Sequence, residues 1–285
     1  MNLSIITVNR NDREGLARTI ESVRRQTRAP FEFIVIDGAS TDGSRELLES
    51  AGSPVTFWSS EPDTGIYNAM NKGVRRASGD YCLFLNARDT LSSPDVVERV
   101  SSMDIDADIL CGSVLVQTDP IYRKTPPQEV TMDFLFNGSI CHQAALIRTD
   151  LLRKHPYDER LKIVADRKFF LQALILDNVT YRAIDVDIAD YDVTGFSSRQ
   201  RFLSEQEYAS VLEELIPERV RLDYGRKSAG VLYGDGAYEK MFLEIGRRNW
   251  RKPVYKLVRG LLRLVSPLLR SARFIRQFPS KADRL

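Results

Sequence analysis

The stretch DYCLFLNARD, residues 80–89, sets an apolar run directly against a polar turn that ends in the carboxylate of Asp89. A carboxylate just beyond a buried strand of an open α/β sheet lies at the carboxyl edge, where ligands bind in such folds. There it can accept hydrogen bonds, take a proton or help hold a hard divalent cation. Asp37 ends the run EFIVID in the same way, placed either to accept hydrogen bonds from a ligand or to serve as an ordinary turn residue. Asp166, in IVADRKFF, is the first-turn acid of a predicted helix. The helix dipole favours an acid there without any chemistry, and such a carboxylate can also act as a general base.

Other reactive side chains carry weaker signals. Asp42 and Ser44 in STDGS read as helix-start residues that satisfy free backbone N–H groups. Lys72 sits among alternating charges on a helix, either solvated or turned towards a ligand. His142 beside Cys141 has no acid at a recognisable spacing, which favours pocket lining or structural hydrogen bonding over nucleophilic or metal chemistry. Cys82, Cys111 and Cys141 lie far apart without CxxC spacing, which disfavours a zinc site or a disulfide framework and predicts buried thiols.

The elements that must position these groups follow from the apolar pattern. LSIITV (3–8) and EFIVID (32–37) are continuous runs of the kind found in strands buried on both faces, and VTFWSS (55–60) and DYCLFL add two more. Between them the pattern predicts three helices. The first is capped by Asn11, with Glu14 completing a capping-box-like pair and Leu16, Ile20 and Val23 on one face. The second starts in GASTDGS, and the third, GIYNAMNKGVRRA, has Ile66, Met70 and Val74 at spacing four. Repeated β-then-α units imply a parallel, doubly wound sheet, because parallel neighbours need crossovers. Beyond Asp89, Ser93 and Pro94 open another helix, and ADILCGSVLVQ and ICHQAALIR resume the strand pattern. TDPIYRKTPPQ (118–128) reads as a surface loop, and VTYRAIDVDIADYD (179–192) as an acid-rich strand at an edge. From about 198 onward the chain reads as mostly helical, with a break from Gly225 to Gly236.

With 285 residues, 43% hydrophobic and 28% charged, the composition suits one large domain or a domain with an appendage and excludes a disordered chain. The net charge of +2 hides an asymmetry: residues 245–285 carry twelve Lys or Arg against one acid, Asp283, which leaves residues 1–244 mildly acidic. The longest uncharged run of that tail, LVSPLL, is far below the roughly 20 residues that cross a bilayer. Residues 250–285 are therefore expected either to lie on an anionic membrane surface or to pack on the body as a basic helix. Nucleic acid is not expected, since no binding module accompanies the charge. MNLSIITVNRND lacks a basic region and a cleavage site, so it reads as a first strand and not a signal peptide. The expected location is cytoplasmic, peripheral at the inner face of the cell membrane, with no transmembrane helix.

ITVNRN, IVIDGASTDGS, SEPDTGIYNAMNKGVRRASGDYCLFLNARD, CHQ and IVADRKFFL, in that order over roughly residues 1–200, resemble the inverting family-2 glycosyltransferases of GT-A fold. The likeness is greatest to the small bacterial enzymes of colanic-acid type that build exopolysaccharide and lipopolysaccharide. It implies an α/β, doubly wound, mostly parallel sheet. Residues 1–110 would form a Rossmann-like nucleotide-sugar half, 111–200 an acceptor half and 201–285 a helical extension. It also implies transfer of one sugar from a UDP- or GDP-sugar to a lipid-linked or oligosaccharide acceptor, since neither a QxxRW motif nor multiple spans suggest a processive enzyme. Thr7, Asn9, Asp37, Asp63, Lys72 and Arg88 would bind the donor, with His142 and Gln143 on the acceptor side. Asp166 would be the general base, and Asp89 would hold Mg²⁺ or Mn²⁺.

Two positions depart from the family pattern: Asn86 replaces the first acid of the metal motif, and Arg88 stands where relatives carry a small or acidic residue. One carboxylate suffices in principle, because these cations commonly take only one or two from protein, with phosphate and water completing the shell. Arg88 could also supply part of the cation's charge. A nucleotidyltransferase is disfavoured, since no Gly-rich phosphate loop follows Val8. The remaining alternative is a catalytically weak or inactive nucleotide-sugar-binding relative that acts as a scaffold.

Overall fold

Strands that are apolar at almost every position can exist only where both faces of a sheet are covered, and the first two strands meet that condition. β1 (Leu3–Asn9) and β2 (Glu32–Asp37) are buried at every residue. In the computed structural model, residues 1–50, 54–195 and 200–224 are described. The basic tail and the break expected at Gly225 to Gly236 lie outside the described residues. The chain divides into two compact units, Met1–Arg221 and Leu222–Leu285, and every element below belongs to the first.

Helix α1 (Arg13–Arg24) crosses from β1 to β2, α2 (Ser44–Glu49) leads to β3 (Phe57–Ser60), and α3 (Ile66–Arg76) leads to β4 (Tyr81–Phe84). The four strands lie side by side in the order β3-β2-β1-β4, all parallel. Next in sequence come β5 (Thr90–Leu91), α4 (Val96–Ser101), β6 (Ile109–Val116), β7 (Tyr122–Lys124) and α5 (Met132–Asn137). They are followed by β8 (Ala145–Arg148), α6 (Thr149–Lys154), α7 (Ala165–Leu171), β9 (Tyr181–Tyr191) and α8 (Arg201–Leu215). β8 enters antiparallel to both β4 and β6, β9 runs parallel to β6, and β5 closes antiparallel on β9. The sheet is thus parallel in its first half and mixed in its second.

Alternation along each strand divides the core between two faces. Ile6 and Val8 join one cluster with Tyr67, Met70, Phe169 and Phe170, while Leu3 and Ile5 join another with Leu16, Ile20, Val96 and Val97. Helix α8 adds Tyr208, Val211 and Leu212 to the first cluster.

Local details differ from the sequence reading where tertiary partners compete. Asp12, not Asn11, caps α1, accepting from Gly15 N at 3.1 Å. Asn11 takes a left-handed φ of 52° and accepts from Thr41 N at 2.8 Å, bracing the loop after β2 instead. Residues 118–128 are not only a loop, since Tyr122–Lys124 pairs with the end of β6. β9 is bordered on one side by β6 and on the other by the two residues of β5, so only part of it is an edge.

Helix α3 packs on β1 with a glycine at the contact. A Cβ built on Gly73 would sit 2.5 Å from Ile6 Cγ2, on a branched side chain that cannot swing aside. Gly73→Ala is therefore predicted to destabilise the fold by about 1–2 kcal/mol, overpacking outweighing the better helix propensity of alanine. Urea unfolding checks this, expecting a lower midpoint at unchanged slope.

Candidate active site

The carboxyl ends of β1 and β4 run into a cleft of about 940 Å³. Its position follows from the sheet, because β4 is the last parallel strand before the reversal at β8. The turn beyond β4 is tied down by backbone and side chain together. Leu85 N donates to Ile6 O at 2.9 Å, Ala87 N to Val8 O at 3.1 Å and Asp89 N to Asn86 O at 3.0 Å. Thr19 Oγ1 donates to Asp89 O at 2.8 Å, from the helix opposite.

Asp89 is only 4% exposed, and its Oδ1 accepts from Asp192 N at 3.1 Å. Burial pushes its carboxyl up to about 7, against the lowering effects of the Asp192 amide, His142 and the Gln143 side chain. Asn86 faces the same cleft, its Nδ2 3.3 Å from His142 Nε2, and its buried Oδ1 has no protein partner. His142 Nδ1 lies 2.9 Å from Asp166 Oδ2. These contacts assign the proton to Nδ1, donating to Asp166, and leave Nε2 to accept from Asn86. Desolvation lowers the imidazole's proton affinity, but the hydrogen bond and charge of Asp166, with Asp89 beyond, raise it overall.

Asp166 opens α7, as its sequence position predicts, and lines the cleft. Tyr67, from α3, places its hydroxyl 3.3 Å from Asp166 Oδ1 while donating to Ile163 O at 2.5 Å. Burial and the nearby Asp166 charge hold the phenol well above its ordinary range, so it stays protonated and a donor. The base candidate is thus held by one side chain from each half of the sheet.

The other expected site residues separate into two groups. Asn9, Asp63, Arg88, Asp89, His142 and Gln143 line the cleft with Asp166. Asn9 Nδ2 donates to Asp37 Oδ1 at 2.8 Å, and its buried Oδ1 has no protein partner. Asp63 accepts from Gly65 N at 3.0 Å and faces Arg10 at 3.9 Å. Arg88 adopts φ 84°, and its guanidinium pairs with Asp12 and donates to Thr194 Oγ1 at 2.9 Å. Glycine at 15 makes that pairing possible, since a Cβ there would run into both Asp12 and Arg88.

Thr7, Asp37 and Lys72 sit behind this surface. Thr7 Oγ1 donates to Leu85 O at 2.6 Å, fastening β1 to the start of the turn. Asp37 is fully buried and accepts from Asn9, from Ser40 N and Oγ, and from Ser60 Oγ. Burial alone would raise its carboxyl, but these donors hold it below the usual range. Lys72 donates to Pro62 O at 3.0 Å and pairs with Glu61 at 2.8 Å, bracing the loop that carries Asp63. The role of Tyr67 and the partnership of His142 with Asp166 escaped the sequence reading. A tyrosine inside a helix motif and an acid 24 residues away give no local signal.

Residues 4–164 match the family Glycosyl transferase family 2. The chain is 35% identical over 206 residues to an uncharacterized glycosyltransferase of Mycobacterium tuberculosis, covering 70% of this chain and 78% of that one. It is 32% identical over 201 residues to a PGL/p-HBAD biosynthesis glycosyltransferase of Mycobacterium bovis, covering 67% and 77%. Staphylococcus aureus TarS 1–349 in complex with UDP-GlcNAc superposes with a TM-score of 0.61 at 19% identity, over 74% of this chain and 64% of that one. The mannosyltransferase PcManGT of Pyrobaculum calidifontis, in complex with GDP-Man and Mn²⁺, gives 0.58 at 15% identity over 93% and 80%. The chain spans 61% of the TarS 1–349 complex with UDP. At 19% and 15% identity, the likenesses to TarS and PcManGT define the fold alone. The chain belongs to glycosyl transferase family 2, with a GT-A-like α/β fold, and is a glycosyltransferase.

The raised carboxyl of Asp89 has a consequence for stability. Its folded value, about 7, exceeds the unfolded value of about 3.9, so the folded state holds the proton more tightly. Stability therefore falls as pH rises from about 4 to about 7. Asp89→Asn is predicted to raise the thermal midpoint by several degrees at pH 8 and to lose that advantage at pH 4. Thermal unfolding in the presence of EDTA measures it.

Proposed function

We propose that the chain is an inverting hexosyltransferase. It would move one sugar from a UDP- or GDP-linked donor to a hydroxyl of a lipid-linked or saccharide acceptor in bacterial surface polysaccharide or glycolipid assembly. The observation that carries this reading is Asp166 and Asp89, brought from separate elements into one cleft, with His142 bonded to Asp166 and to Asn86 of the turn that carries Asp89. Asp166 takes the proton of the acceptor hydroxyl as its oxygen attacks the anomeric carbon, and the nucleoside diphosphate leaves with the bonding electron pair. Direct displacement of this kind inverts the anomeric centre.

Donor contacts fall to Asn9, Asp63 and Arg88, with Thr7, Asp37 and Lys72 fixing the backbone beneath them. The UDP-GlcNAc and GDP-Man complexes of the two structural neighbours support a nucleotide-sugar donor. Asp89 and the unpartnered Asn86 Oδ1 would each offer Mg²⁺ or Mn²⁺ a hard oxygen ligand. Among the described residues no group of three ligating side chains is present, so phosphate and water would complete the shell. When bound, the cation would neutralise charge on the leaving phosphate. On the acceptor side, Lys124 and Lys162 line the cleft without a salt-bridge partner among the described residues, which supports a phosphate-bearing, lipid-linked acceptor. The PGL/p-HBAD biosynthesis named for the M. bovis relative supports a place in such an assembly route.

Among the described residues no helix is long and apolar enough to cross a membrane. The basic composition of residues 250–285 supports peripheral attachment at an anionic surface.

Nucleotide release from a panel of nucleotide sugars with Mg²⁺ or Mn²⁺ tests the chemistry. Wild type should release nucleotide from at least one donor, Asp166→Asn should slow it by about 10²–10⁴-fold, and Asp89→Ala should lose metal dependence. No release with any donor would sink the reading. Deleting residues 250–285 should abolish sedimentation with anionic liposomes, and unchanged binding would remove the membrane assignment.

A further inference from the structure

Residues 161–164, separated from Asp166 by Ala165, are held from two directions. Tyr67 takes the carbonyl of Ile163 from α3. From α8, Glu207 takes two successive amides: Lys162 N donates to Oε1 at 2.8 Å and Ile163 N to Oε2 at 2.9 Å. Glu207 is half-buried, and a carboxylate accepting two backbone N–H groups forms the stronger, charge-assisted class of hydrogen bond. The next residue of α8 continues the grip, since Tyr208 Oη donates to Leu135 O at 2.6 Å and the Arg167 guanidinium stacks 3.3 Å from its ring centroid. Arg167 adjoins Asp166 and donates to Gly138 O at 3.2 Å.

Glu207 and Tyr208 thus seize the chain on both sides of Asp166, at residues 162–163 and at 167. Neither residue touches Asp166 itself. Both lie beyond the portion that matches the family, which ends at residue 164.

We propose that Glu207 is a positioning residue for the transfer reaction, setting the location of the Asp166 carboxylate through the two amides it accepts. The proposal rests on the assignment of Asp166 as base. Helix α8 is then part of the catalytic apparatus and not merely a cover for the core. Removing the carboxylate leaves two amides without their acceptor and one fewer anchor on the base. Displacement of a reacting group by about 1 Å can cost about 10²-fold in rate, while the donor contacts at Asn9 and Asp63 stay in place.

The test pairs kinetics with amide hydrogen exchange on the full chain. Glu207→Ala should lower kcat for nucleotide release at least tenfold, with the donor KM changed less than threefold. Exchange at Lys162 and Ile163 should accelerate at least tenfold, while Val211 and Leu212 in α8 keep their protection. Glu207→Gln, which keeps one accepting oxygen, should recover part of kcat. Glu213→Ala, on the exposed part of the same helix, should match wild type. Unchanged exchange at the two amides overturns the proposal, as does faster exchange with unchanged kcat. Loss of protection at Val211 and Leu212 alongside the loss of kcat also overturns it, since that is undocking of the helix. The exchange arm needs no substrate, so it fails separately from the assignment of the donor reaction.

Discussion

A histidine with both ring nitrogens committed spans the cleft, Nδ1 towards Asp166 and Nε2 towards Asn86. One end of this bridge belongs to α7 and the other to the turn after β4, so the imidazole connects the mixed part of the sheet to the parallel part. Its own placement follows from the sheet, because His142 begins the short 3₁₀ turn that feeds β8, the strand that reverses direction beside β4. A buried polar bridge of this kind is sound only if its members are hydrogen-bonded. At Asp166 that need is met by His142 on Oδ2 and by Arg167 N, which donates to Oδ1 at 2.9 Å, and the free Oδ1 of Asn86 is left for a ligand.

The site is arranged at a cost to the unliganded fold. Asp89 is buried enough to hold its proton near neutral pH, and two amide oxygens, at Asn9 and Asn86, are buried without protein partners. Unsatisfied groups of this sort are unfavourable in a folded chain and are expected where a ligand supplies the missing contacts. Behind them the support is rigid: Asp37 is saturated by four donors, and Thr7 and Thr19 hold the backbone of the β4 turn. Arg88, the residue that sets this chain apart within its motif, is held by Asp12 at the start of α1, so its charge is largely balanced within the protein.

Much of the parallel half of the sheet was legible in the sequence because its signals are local. LSIITV and EFIVID could only be doubly covered strands, and Asn9 and Asp37 at their ends, with Asp89 after DYCLFL, had to lie at one sheet edge. The reading failed where partners come from afar. Asn11 has the right side chain for a cap, yet the loop after β2 claims it and Asp12 takes over. TDPIYRKTPPQ hides a short strand because Tyr122–Lys124, between Pro120 and Pro126, pairs with β6, a partner the local sequence does not show. His142 showed no acid at a recognisable spacing because Asp166 reaches it through the fold. Glu207 was invisible for the same reason, acting on amides 44 and 45 residues earlier.

Attack by a hydroxyl activated at Asp166, with the nucleotide leaving from the far side of the anomeric carbon, is the central claim about this cleft. Proton NMR of the first-formed product tests it directly through the anomeric coupling constant. From an α-linked nucleotide sugar the account predicts a β-configured product, and a product that retains the α configuration would contradict it.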